Sequence, residues 1–198
     1  MHKRSASRLK IRDIAYIGAS AALIAICSWI SVPALVPFTL QTFAVFSVVG
    51  ILGGRRGTIA VLVYLLLGAV GLPVFAGFRG GIGVLLGTTG GYIAGFLLAA
   101  LLMWAAERLY KDSWFRLACA MAVGLFVCYL FGTLWFLLLY TRSVGRIALG
   151  AVLMKCVVPF LIPDALKIAL AMLLTRRLRP LVPQYNTSEK ERMKVQPE

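Results

Sequence analysis

Six apolar runs follow one another along the chain, at residues 14–31, 40–52, 57–72, 90–104, 117–140 and 163–174, and basic residues, prolines or glycines bound each of them. The pattern predicts an all-α integral membrane protein with six transmembrane helices. The second run is short. Helical residues rise about 1.5 Å each, so it covers about 20 Å of a hydrocarbon core ~30 Å thick. Part of it is therefore expected to begin below the surface, beside a cavity. Between the third and fourth runs lies GLPVFAGFRGGIGVLLGTTGGY, residues 71–92, which holds eight of the chain's nineteen glycines. Irregular backbone cannot face lipid, because its unpaired N–H and C=O groups are too costly there, so such a segment must be buried in protein or line a cavity. Residues 73–91 are read as a substrate loop. The doublets Gly80-Gly81 and Gly90-Gly91 let the main chain come close to a bound molecule.

Composition agrees with the pattern and removes several function classes. With 61% hydrophobic residues, 14% charged residues and a mean hydropathy of +0.89, the chain is too apolar for a soluble domain of its length. The net charge of +14 does not form a nucleic-acid surface, since Lys and Arg cluster in tails and short connections. Of the 21 Lys and Arg residues, sixteen fall in the tails and the even-numbered turns, and four (Arg79, Arg142, Arg146 and Lys155) on the opposite side. The positive-inside rule then sets both termini in the cytoplasm. This gives a basic tail over 1–13, a single membrane domain over 14–178 and a polar cytoplasmic tail over 179–198, whose last eighteen residues are expected to be disordered. The first run is longer than a signal-peptide core and is expected to stay as a span. Cys27, Cys119, Cys128 and Cys156 show no paired or metal-ligand spacing, and the only histidine is His2. No metal site, cofactor or hydrolytic triad is expected, and the chain is not read as an enzyme. The ATP-binding motif G-x-x-x-x-G-K-[ST] is missing as well, so any ATP-driven step needs another subunit.

Candidate chemistry is sparse and therefore informative. Asp164 and Lys167 lie three positions apart in the last run, on one helical face. Intramembrane ionisable groups are functional-site candidates by default. They can also be a pair that merely neutralises itself. Asp164 can accept two or more hydrogen bonds and Lys167 can donate three, a set suited to a ligand with adjacent N–H and C=O groups such as a cyclic urea. Thr39 and Gln41 are either pocket groups or a helix cap with a neighbour-satisfied partner. Arg79 either marks the outer interface or attracts an anion, and Tyr92 is either a pocket or a belt residue. Glycines 83, 87, 91 and 95 are read as loop first and helix later. In the first run Ala15 with Ala19, and Gly18 with Ala22, form a smooth ridge that packs either within the bundle or against a separate membrane subunit.

Four stretches together resemble the biotin-specific S components, the BioY proteins, of energy-coupling-factor (ECF) vitamin transporters. They are Val36-Pro37-Phe38-Thr39-Leu40-Gln41-Thr42-Phe43, Leu65-Leu66-Leu67-Gly68-Ala69-Val70-Gly71-Leu72-Pro73-Val74-Phe75, Gly87-Thr88-Thr89-Gly90-Gly91-Tyr92, and Pro159-Phe160-Leu161-Ile162-Pro163-Asp164-Ala165-Leu166-Lys167. The resemblance implies the ECF S-component fold, biotin capture at the outer face of a bacterial cytoplasmic membrane, and partnership with a transmembrane coupling protein and two ABC-type ATPases. It places Phe78, Arg79, Gly80, Gly81, Thr89, Tyr92, Asp164, Lys167 and Gln41 at the biotin site, and the Ala15, Gly18, Ala19 and Ala22 ridge at the coupling protein. The alternatives are a stand-alone biotin uptake protein and an S component for another small vitamin. This chain differs from the common pattern at Thr88, Ile162-Pro163 and Phe78-Arg79.

Overall fold

The computed structural model of the chain describes residues 11–110, 113–143, 145 and 147–183. Its order is α1 (Ile11–Trp29), β1 (Ser31–Val32), β2 (Phe38–Thr39), α2 (Gln41–Leu52), α3 (Gly54–Ala69), α4 (Ile82–Leu85), α5 (Gly90–Ala105), α6 (Glu107–Tyr110), α7 (Trp114–Ser143), α8 (Leu149–Cys156) and α9 (Val158–Leu178), then a 3₁₀ turn at Arg179–Leu181. The strands are two residues each and pair antiparallel, Ser31 opposite Thr39 and Val32 opposite Phe38. They form a small hairpin around Pro33 and Pro37 in an otherwise helical chain.

Among the described residues, three segments are long and apolar enough to cross a membrane: α1, α7 and Val158–Leu181. Leucines at 66, 130, 134, 138, 166, 170 and 173 stand exposed along the bundle, an arrangement that water would penalise and lipid covers. α2 is the central helix. Ten of its twelve residues are buried, as expected of a helix that is apolar on every side. Small residues set how closely its neighbours approach. A side chain at Gly50 would meet Thr175 of α9, and one at Gly95 of α5 would meet Cys128 of α7.

Two expected boundaries move for physical reasons. A single residue, Gly53 at φ +83°, turns α2 into α3, so Arg55 and Arg56 lie within a helix and not in an open turn. Arg56 is 1% exposed. Its guanidinium pairs with Asp13 at 2.7 Å and donates to the carbonyl of Pro183 at 2.6 Å. Because α1 begins at Ile11, Asp13 is a buried acid inside an apolar helix and not part of a tail. The second shift is at the last run, where α9 begins at Val158 and continues through Pro163. Proline has no N–H to donate back to residue 159, yet neighbouring helices hold the segment in line.

The start of the C-terminal stretch also departs from a free tail. Val182 packs on the core, and Arg179 lies 3.9 Å from Glu107. The basic segment 1–10 and the polar segment 184–198 lie outside the described residues, as do Lys111, Asp112 and Arg146.

Candidate functional site

A cleft of about 690 Å³, counting the space at its open mouth, sits where α2, α5, α7 and α9 converge under the loop 71–89. Its walls are mostly apolar: Val36, Pro37, Phe75, Val84, Ile93, Phe96, Leu125 and Phe160. The polar groups are few and converge.

The densest polar cluster is on α9. Asp164 and Lys167 are 3% and 5% exposed, one helical turn apart, with Lys167 Nζ 2.7 Å from Asp164 Oδ1. Lys167 also donates to the carbonyl of Thr39 at 2.7 Å and lies 3.9 Å from the centre of the Phe38 ring. The Tyr129 hydroxyl of α7 donates to the other carboxylate oxygen, Oδ2. Burying a charge pair is tolerable when both partners keep hydrogen bonds, and here each has more than one. Neither is saturated. Each carboxylate oxygen has a further lone pair, and an ammonium has three protons. The little hairpin has a clear purpose in this setting, since β2 delivers the Thr39 carbonyl and the Phe38 ring to Lys167. Phe38 in turn stacks on Phe160 at 5.6 Å.

The second polar group comes from the loop. Phe75 is buried, edge-on to Tyr64 at 5.6 Å, in the space beside Gly68 that a side chain there would fill. From this anchor the chain makes a tight reversal in which Phe75 N–H donates to the Arg79 carbonyl at 2.9 Å. The reversal passes through Gly77 at φ +71° and Phe78 at φ +56°. Ser28 and Trp29, at the end of α1, donate to the carbonyls of Val74 and Pro73. Arg79 reaches the cleft lining.

Of the residues expected at the site, Asp164, Lys167, Arg79, Tyr92, Thr89 and Gln41 line the cleft. Tyr92 contributes its ring, because its hydroxyl is engaged with Thr133 at 3.1 Å. Gln41 is held by Tyr64, to whose hydroxyl it donates at 3.0 Å. Phe78, Gly80 and Gly81 are not among the residues that line the cleft. Phe78 is 64% exposed and stacks on Trp29 at 5.0 Å; the left-handed turn at this residue sends its ring away from the cavity. A side chain at Gly80 would meet the carbonyls of Gly71 and Leu72, and Gly81 N–H donates to Gly68 at 2.7 Å. Those two glycines hold the loop against the end of α3.

The glycine ladder divides as the loop-then-helix reading requires, although α4 puts a short helical turn inside the loop. Gly91 and Gly95 are packing positions against Trp135 and Cys128, and Gly83 has open space. Sequence reasoning missed Tyr129, Phe160, Cys128 and Cys156 as lining residues. Phe160 is one turn before Asp164 and was recoverable from that spacing. Tyr129 comes from an uncharged span with no local mark. On α1, Ala15, Gly18, Ala19 and Ala22 are all exposed, while Ile17, Ala21, Ile24 and Ala25 face the bundle. The small-residue ridge is not used for packing among the described residues.

The BioY family profile matches residues 1–184. The "Biotin transporter BioY" of Thermotoga maritima is 42% identical over 174 residues, covering 86% of this chain and 98% of that protein. The "Probable biotin transporter BioY" of Pyrococcus horikoshii is 36% identical over the same length, with the same coverage of both chains. Among solved structures, the S-component for biotin from an ECF-type ABC transporter superposes with a TM-score of 0.78 at 26% identity, covering 94% of this chain and 98% of that one.

Proposed function

This chain belongs to the BioY family, and from that premise we propose that it is the substrate-binding membrane subunit of a biotin uptake transporter. The observation that carries the reading is the buried Asp164–Lys167 pair, held by Tyr129 and Thr39, at one side of an apolar cleft. Biotin has a rigid fused ring with a urea at one end. The urea needs an acceptor for its N–H groups and a donor for its oxygen, and Asp164 with Lys167 supply one of each. The apolar walls take the rings and the methylene chain.

The chain spans the cytoplasmic membrane six times, by α1, α2, α3, α5, α7 and α9, with both termini inside. The asymmetry of basic residues supports this orientation. It puts the cleft on the outer side, where a vitamin is captured. The work of transport comes from a transmembrane coupling protein and two ABC-type ATPases, and the exposed ridge of Ala15, Gly18, Ala19 and Ala22 is the face on which the coupling protein docks. Small side chains allow close helix approach, which is what association inside lipid requires.

Titration of purified protein with radiolabelled biotin tests the reading. One saturable site per chain is expected, competed by excess unlabelled biotin and not by other water-soluble vitamins. Absence of saturable binding in monodisperse protein, or displacement by a different vitamin in preference to biotin, would overturn it.

A further inference from the structure

The charges lining the cleft do not cancel. Asp164 and Lys167 neutralise one another at 2.7 Å, and the remaining charged residue of the lining is Arg79. A cavity with this inventory is electrically complete when it holds one negative charge. Arg79 is also chemically open. Its Nε donates to the Ala76 carbonyl at 3.1 Å, and its two terminal nitrogens have no hydrogen bond or ion pair among the described residues. Together they present a planar fork of donors, the geometry that matches a carboxylate by two parallel bonds.

The backbone is built to hold that fork in place. Arg79 closes the tight reversal that starts at Phe75, and Phe78 adopts a left-handed φ of +56° within it. A bulky residue does not take that conformation without compensation. Here the compensation is visible, because the same turn lets Phe78 stack on Trp29 while its neighbour points the other way, into the cleft. Behind Arg79, Gly80 lies so close to the carbonyls of Gly71 and Leu72 that no side chain fits. Trp29 and Ser28 tie the preceding residues to α1. A loop fixed at both ends and strained at the residue before Arg79 is a presentation device for the arginine.

We propose that Arg79 is the specificity-determining residue for a free carboxylate on the ligand, so that the site takes the ionised acid and discriminates against its neutral ester or amide. This deepens the biotin reading and rests on it. The paired Asp164 and Lys167 form a neutral set for the uncharged head of the molecule, and Arg79, at the exposed mouth, takes the charge at the end of its flexible chain. A cation at the mouth is partly screened by solvent, so the fork geometry matters as much as the charge.

The test compares biotin with biotin methyl ester on wild-type protein, Arg79→Gln and Arg79→Lys, by equilibrium titration at low and high salt. Wild type is expected to prefer the acid by about tenfold, the low end for a charge-assisted hydrogen bond. In Arg79→Gln the acid should weaken by about that factor and the ester by less than about twofold, which removes the preference. Arg79→Lys keeps the charge without the fork and should restore part of it. Salt should weaken binding of the acid and leave the ester unchanged. Equal loss for acid and ester in Arg79→Gln would make the arginine a scaffold of the loop and overturn the proposal, as would a wild type that does not distinguish the two. If wild type discriminates against neither because it binds neither, the biotin reading itself falls.

Discussion

Replacing Asp164 by Asn tests the centre of the site with almost no change of shape. In the native cluster one carboxylate oxygen accepts Lys167 at 2.7 Å and the other accepts Tyr129. An amide has one acceptor and one donor end. If its oxygen stays on Lys167, its NH₂ faces the Tyr129 hydroxyl, which must turn its proton elsewhere; if it flips, NH₂ meets the ammonium. Either way Lys167 loses its counter-ion and keeps the Thr39 carbonyl and the Phe38 ring as its partners. Breaking one side of a buried ion pair costs about 3–5 kcal/mol of stability. The ligand face suffers separately, since an NH₂ now opposes the urea's own N–H groups, a mismatch on the order of 2–5 kcal/mol. That corresponds to roughly thirty-fold to several-thousand-fold in affinity. Biotin titration of the monodisperse, folded fraction isolates the second effect, and thermal unfolding without ligand reads the first. Wild-type affinity in Asp164→Asn would refute the assignment and leave the pair as neutralisation of an apolar helix.

Three further outcomes follow from the fold. Ala19→Leu should obstruct docking of the coupling protein, measured by co-purification, while biotin binding by the isolated subunit stays close to normal; an unchanged complex would remove the ridge from the interface. Asp13→Asn should destabilise the bundle by about 3–5 kcal/mol, whereas Asp13→Leu combined with Arg56→Met should come close to wild type, because a buried pair is replaceable as a unit but not by halves. Thermal unfolding checks both, and a double variant worse than the single would contradict the argument. Cysteines placed at position 79 should react with impermeant reagents from outside, and those at position 55 only from inside; the reverse pattern would invert the proposed topology.

The sequence carried the short second helix, the irregular glycine-rich loop and the two membrane charges, because each violates what lipid permits unless something else accounts for it. The helix at 41–52 lies within one residue of its expected bounds, since a run that is too short to span must be covered by protein on every side. What could not be read depends on contacts across the chain. Tyr129 meets Asp164 from 35 residues away, and nothing near it in sequence marks it. Asp13 and Arg56 looked like members of a tail and a turn because local charge density says nothing of pairing. Phe78 was placed at the site by the family resemblance, and one left-handed φ sends it and Arg79 in opposite directions. The helix through Pro163 went unrecognised for a similar reason. The proline rule is a local one, and the surrounding bundle overrides it.

Arg56 has two lives in this chain. In the finished protein it is sealed between Asp13 and the Pro183 carbonyl, the latter 127 residues further along. During synthesis the two partners arrive far apart in time, Asp13 before Arg56 and the carbonyl long after it. The carbonyl comes from a segment that follows α9, so while α2 and α3 are entering the bilayer Arg56 still lacks one of its two partners. At that stage, on the proposed topology, it is one of the charges that retain this connection on the inner side. Only after α9 is in place is its second partner available. The residue is therefore a transient instruction for orientation that is afterwards recycled as the bolt closing the inner end. A chain truncated before Pro183 should still insert the right way round, yet lack the last fastening of the bundle.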